Sequence, residues 1–171
     1  CNLGSYNLMM FTNEDGSVRI NDFRKAVRLG TISMDLNYDI SCFPTPRIAE
    51  KSLSIRPLGV GYTNLGSWLM FQGLAYDSDE GRTAAAAITA LMTGQVYLTS
   101  TELAEKVGSF PEFEKNREDT LNILRKHRES MKGIDRSKLP KGLENILTEA
   151  QEVWDKTIER AEKYGVRNAQ A

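Results

Sequence analysis

Thiols, one imidazole and clustered carboxylates are the groups with which this 171-residue sequence could do chemistry. There are two cysteines, Cys1 and Cys42, and a single histidine, His127. These fall short of the four soft ligands of a structural zinc site. Two cysteines also cannot build the disulfide framework of a small secreted domain. Cys42, close behind Ile40 and beside Phe43, reads as a small buried thiol. Cys1 precedes an apolar run that opens at Leu3, which places it at a strand end; spacing alone does not mark it as reactive. His127 sits in Arg125-Lys126-His127-Arg128, a basic helical patch, and reads as a surface histidine. Asp77, Asp79 and Glu80 have the types for acid–base work, but crowding at a helix start accounts for them. Glu102 and Glu105 read as a solvated helix face. The stretch Gly59-Val60-Gly61-Tyr62-Thr63-Asn64-Leu65-Gly66 lacks the glycine a dinucleotide loop needs at position 64 and the Gly-Lys-Ser/Thr of a phosphate loop. Its glycines are expected to permit close packing of strand on helix.

The elements that must carry these groups follow from pattern. Leu3 to Phe11 reads as a strand ending at the turn cluster Asn13-Glu14-Asp15-Gly16. Asn21 is the expected N-cap of a helix over 21–37, with Asp22 in its positive first turn. Pro44 and Pro46 interrupt the chain before a short helix over 47–54. Arg56 to Gly61 reads as a brief buried strand, followed by a helix carrying Leu65, Trp68 and Leu69 and stopped at Gly73. A helix is expected from the Asp77–Glu80 cluster to Val107, propagated by Ala84 to Ala87 and stopped by Gly108. Helices over 112–131 and 143–164 complete the chain. Trp68 and Trp154 occupy apolar helical positions and are expected in the core. Strand, helix, strand, helices is an α/β signature.

Composition narrows the classes. Lys and Arg total 22 against 23 Asp and Glu, which argues against a nucleic-acid clamp or a membrane-surface protein. Apolar residues at 40% and charged residues at 26% suit a globular chain rather than a disordered one. No apolar run approaches the roughly 20 residues that span a bilayer, and Cys1 to Ser5 form no basic signal-peptide start. The cytoplasm is therefore the expected compartment. Residues 1–100 hold 8 basic and 9 acidic side chains and residues 101–171 hold 14 of each. The division expected from this is a strand/helix segment over 1–110 and a helical appendage over 111–171.

Five segments together resemble one family. Cys1-Asn2-Leu3-Gly4-Ser5-Tyr6-Asn7-Leu8 resembles the Cys-Asn-Leu segment of ribonucleotide reductase catalytic chains, and Arg56-Pro57-Leu58-Gly59-Val60-Gly61 resembles a later strand of the same barrel. Gly73 to Arg82, Ala87 to Gly94 and Tyr164 to Ala171 are similar to the adenosylcobalamin-dependent branch, class II. The resemblance runs over essentially the whole chain in order and spacing.

It implies a central segment of a ten-stranded α/β barrel, predominantly helical, with two short strands near residues 3–11 and 56–60 and with 111–171 continuing the same barrel domain. It implies removal of the ribose 2′-hydroxyl of a ribonucleotide by thiyl-radical chemistry, with adenosylcobalamin as cofactor of the complete enzyme. Cys1 inherits the role of one redox-active thiol of the reducing pair, its partner lying outside this chain. Leu3, on the same strand face as Cys1 by alternation, is the expected substrate-side apolar contact. The implied partners are the remainder of the barrel, the nucleotide, and a thioredoxin-like or other dithiol reductant. In the family the radical cysteine and the second reducing cysteine precede this segment and the phosphate-binding loop follows it, so the segment alone is expected to be inactive. A start at Cys suits an intein junction, and equally a split gene or a trimmed chain. The rival expectation is a non-catalytic helical scaffold of reductase ancestry. Strands left with open edges lead to an expectation of aggregation, partial order or obligate association for the isolated segment.

Overall fold

The computed structural model describes residues 2–169. The first strand, β1 (Asn2–Asn7), ends four residues before the expected limit. The Asn7 carboxamide accepts a hydrogen bond from the Met9 amide at 3.1 Å and starts a 3-10 turn over Leu8–Phe11, so the apolar run leaves the strand conformation there. A bridge between Thr12 and Val18 then returns the chain. That bridge delivers Arg19, not Asn21, to the cap position, and α1 (Ile20–Ile40) begins there with Asn21 inside its first turn. The helix α2 (Pro46–Ile55) is capped by Thr45, whose hydroxyl accepts from the Ile48 amide at 3.3 Å.

The second strand, β2 (Leu58–Thr63), starts two residues later than expected because Arg56 is left-handed, with φ 44°. It pairs with β1 in parallel, Asn2 opposite Leu58 through Asn7 opposite Thr63. A parallel pair needs a crossover, and α1 supplies it. Helix α3 (Leu65–Phe71) follows directly, buries Trp68 and Leu69, and ends before Gly73, whose φ is 71°. The α/β assignment holds as an open, two-stranded parallel sheet within a mostly helical chain.

Helix α4 (Asp79–Val107) is the axis of the helical layer. The Ser78 hydroxyl caps it by accepting from the Gly81 amide at 3.0 Å, and Asp79 and Glu80 occupy its first turn. Arg82 and Lys138 also pair with Asp79, and their hydrogen bonds hold its carboxyl at a pKa of about 2. The cluster Asp77–Glu80 is thus a helix start, as the sequence suggested. Small residues let α4 be enclosed from several sides, by α1 and above all by α6 (Glu144–Tyr164), on which α5 (Arg117–Ser130) packs in turn. The fifth helix begins five residues later than the pattern indicated. Residues 110–116 instead fold so that Phe113 is fully buried, edge-on to Phe110 at 5.5 Å. One apolar core runs from Leu8 to Val166, with Trp68 and Trp154 inside it as expected.

Helices α4 and α6 pack tightly against each other at Gly94. A β-carbon there would lie 2.8 Å from Trp154 Nε1 and 3.2 Å from Val153 Cγ1. The indole N–H donates to the Ala90 carbonyl at 2.9 Å, and the Thr157 hydroxyl donates to the Gly94 carbonyl at 3.3 Å. Gly94→Ala must push this pair apart, at an expected cost of about 1–3 kcal/mol. Hydrogen exchange of the α4 and α6 amides in the protein carrying this segment measures it as a lowered local opening free energy.

Candidate functional site

The strand pair has one covered and one open face, and the alternation decides which residues go where. Gly4 and Tyr6 face α1: a β-carbon at Gly4 would meet Met34 Sδ at 3.0 Å, and the Tyr6 hydroxyl donates to the Val27 carbonyl at 3.3 Å. Gly30 on α1 admits the Tyr6 ring, since a β-carbon there would lie 2.1 Å from its hydroxyl. Leu58, Val60 and Tyr62 share this side through their register with Asn2, Gly4 and Tyr6. Leu3, Ser5 and Asn7, with their partners Gly59, Gly61 and Thr63, form the other face. Leu3 is 79% exposed there, a large apolar side chain that no other described residue covers. The glycines of β2 therefore do not serve helix packing, the role expected of them. Gly59 and Gly61 sit opposite Leu3 and Ser5 on the open face and keep it low, a surface that lets another backbone or a ligand approach closely.

At the C-terminal ends of the strands, Asn64 Nδ2 donates to Asn7 Oδ1 at 2.9 Å. Asn64 has φ 63° and no side-chain cap bond to α3, so its carboxamide is turned toward β1 instead. At the N-terminal ends a buried polar cluster joins four segments. Arg56 donates from Nε to Asp35 Oδ1 at 2.8 Å, from Nη2 to the Asp35 carbonyl at 2.8 Å, and from Nη1 to Asp39 Oδ1 at 2.9 Å. Both side chains of the Arg56–Asp35 pair are 3% exposed. Asn168 Nδ2 donates to Asp35 Oδ1 at 2.9 Å and to the Arg56 carbonyl at 3.1 Å, and the Ser100 hydroxyl donates to Asn168 Oδ1 at 2.9 Å. Burial by itself lowers the Arg56 pKa, but the hydrogen bonds and charges of Asp35 and Asp39 outweigh it and hold the guanidinium above its ordinary value. The hydrogen bond from Arg56 in turn lowers the Asp39 pKa.

The sequence candidates fall apart in space. Cys1 lies outside the described residues. Leu3 is on the open face. Cys42 is exposed rather than buried, because the chain leaves α1 at Ile40 and Pro44 keeps it extended outside the core. His127 is exposed as expected, its ring stacked on Trp154 at 5.8 Å in the helical layer. Glu102 and Glu105 are partly covered and ion-paired, with Arg28 and Arg160, both at 2.8 Å. The described part of the open face carries no ionisable side chain, and among the described residues no group of three or more His, Cys, Asp or Glu could hold a metal ion. The face can therefore position a reactant, while proton or electron transfer needs a group beside it. The Asn7–Asn64 pair and the Arg56 cluster escaped the sequence reading. Their members lie up to 133 residues apart, and no local spacing connects them.

The larger cavities border helices. One of about 460 Å³ lies between the start of α1 and α6, lined by Arg19, Asn21, Asn145 and Glu149. Another of about 330 Å³ lies beside His127 and Trp154. Neither is lined by a strand residue. No helix among the described residues is long and apolar enough to cross a membrane.

A family model described as ribonucleotide reductase, barrel domain, matches residues 1–171. The chain is 41% identical to a vitamin B12-dependent ribonucleotide reductase of Agrobacterium fabrum, over 99% of this chain and 14% of that protein. It is 42% identical to one of Rhodopirellula baltica, over 100% of this chain and 16% of that protein. A ribonucleoside-diphosphate reductase large chain of Encephalitozoon cuniculi is 32% identical over 67% of this chain and 15% of that protein. The chain thus spans about a seventh of the length of these relatives.

Proposed function

Because this chain belongs to the ribonucleotide reductase barrel family, we propose that it is a central segment of an adenosylcobalamin-dependent reductase that converts ribonucleotides to 2′-deoxyribonucleotides. The observation that carries this reading is a parallel strand pair, sheathed by helices on one side, whose other face is low, uncharged and topped by an uncovered leucine. Such a face is completed by further strands and a bound reactant. Cys1 supplies one of two thiols in the overall step. The C2′–O bond breaks and the oxygen leaves as water; a C2′–H bond forms; the two thiols give up two electrons and two hydrogens and become a disulfide. The second sulfur comes from polypeptide beyond these residues, and a thioredoxin-like or other dithiol restores the pair. Leu3 contacts the nucleotide from the strand face, and residues 111–171 continue the same barrel domain. The cytoplasm, with its reducing thiol pool, suits a disulfide that must be reopened at every turnover.

When bound, adenosylcobalamin supplies the radical that starts the chemistry. No residue of this chain is assigned to holding it: the one imidazole stacks on Trp154, and the two cavities described above border helices. No step is assigned to this chain through the cofactor. The test is turnover of ribonucleotide by the intact reductase carrying this segment, with the cofactor and dithiol added separately and together. Deoxyribonucleotide formed only with both is the expected result. Product formed without added cofactor, or none under any condition, overturns the reading.

A further inference from the structure

The N-terminal ends of the two strands are held by a small body separate from the main core. Met34, Tyr38 and Leu58 form its apolar part, all buried, with Phe43 and Val60 packed on it. Asn2 Nδ2 donates to the Met34 carbonyl at 2.7 Å, and Asn2 pairs with Leu58 across the sheet. The Tyr38 hydroxyl donates to the Pro57 carbonyl, one residue before β2. The Arg56 guanidinium lies over the Tyr38 ring, 5.3 Å from its centre, and is locked by Asp35 and Asp39. Arg56 itself adopts the left-handed conformation that residues with a β-carbon seldom take, so the surrounding bonds dictate where its backbone goes.

A buried ion pair is a poor source of net stability, because desolvation offsets its attraction; its better-attested use is to fix register. The register fixed here is that of the first residues of both strands. A thiol that must meet a second sulfur needs such fixing: the disulfide requires β-carbons about 3.5–4.5 Å apart and a narrow torsion. We propose that Asn2, Tyr38 and the Arg56–Asp35 pair are positioning residues for the thiol of Cys1. They act through the Asn2 anchor, one covalent step from Cys1, by holding the start of β1 to α1 and to the start of β2. This rests on the assignment of Cys1 to the reducing pair.

The test uses the intact reductase with Asn2→Ala and Tyr38→Phe, the second removing only one hydroxyl. Single-turnover reduction of nucleotide by the prereduced enzyme should slow about tenfold, with KM for the nucleotide unchanged. The equilibrium constant of the Cys1 disulfide against a dithiol should fall about tenfold, a shift of about 30 mV to less negative potential. Gly94→Ala, which strains the core elsewhere, should leave that potential where it is. An unchanged potential and single-turnover rate in both anchor variants overturn the inference and leave the Cys1 assignment standing. A Cys1 that forms no disulfide in the unsubstituted enzyme overturns the assignment, and the inference with it.

Discussion

Replacing Cys1 by serine in the intact reductase is expected to abolish dithiol-driven turnover, a loss of at least about a thousandfold in kcat. A serine hydroxyl fills nearly the same volume but cannot form a disulfide, so the two electrons that reduce C2′ lose half of their source. The open strand face offers no substitute. Its described members are Leu3, Ser5, Asn7, Gly59, Gly61 and Thr63, none of them redox-active. Cys42 is exposed behind the C-terminal end of α1 and is not on that face. Nucleotide binding should survive the substitution, so a binding isotherm beside the turnover assay separates lost chemistry from lost folding. Undiminished turnover with dithiol would remove Cys1 from the reaction.

Arg56→Met is expected to destabilise the strand end by about 3–5 kcal/mol, a large effect for one side chain. The substitution keeps the bulk of the stem and removes the charge. Asp35, 3% exposed, is then left in the interior with Asn168 at 2.9 Å and the more distant Arg167 at 3.5 Å. The cost comes from that stranded carboxylate, so Arg56→Met combined with Asp35→Leu should cost less than Arg56→Met alone. Hydrogen exchange of β1, β2 and the Val166–Ala169 backbone reads the difference locally. Those amides should open first, because Arg167 and Ala169 donate to Ser100 and Ile55 across the same cluster. Equal exchange in the single and double variants would mean that the ion pair contributes through packing only.

Much of the architecture is written in local pattern. The apolar stripes of α1 and α6, the Ser78-Asp79-Glu80 start and the Gly108 stop of α4 are contiguous signals, governed by interactions within a few residues. The pattern gives way where a single side chain competes with it. Asn7 captured the Met9 amide and ended β1, while the Thr12–Val18 bridge moved the start of α1 to Ile20. Cys42 read as buried because its neighbours are apolar, yet burial depends on where the chain leaves the core.

By itself the sequence determined the element types, the helix limits to within a few residues, and, through five ordered segments, the family. The tertiary structure alone decided which strand face is open. It also brought Asp35, Arg56, Ser100 and Asn168 together under the strand ends and turned Gly59 and Gly61 away from the helices. The physical reason is range: caps and periodicity act over one or two turns of chain, whereas register and buried charge pairing join residues separated by most of its length.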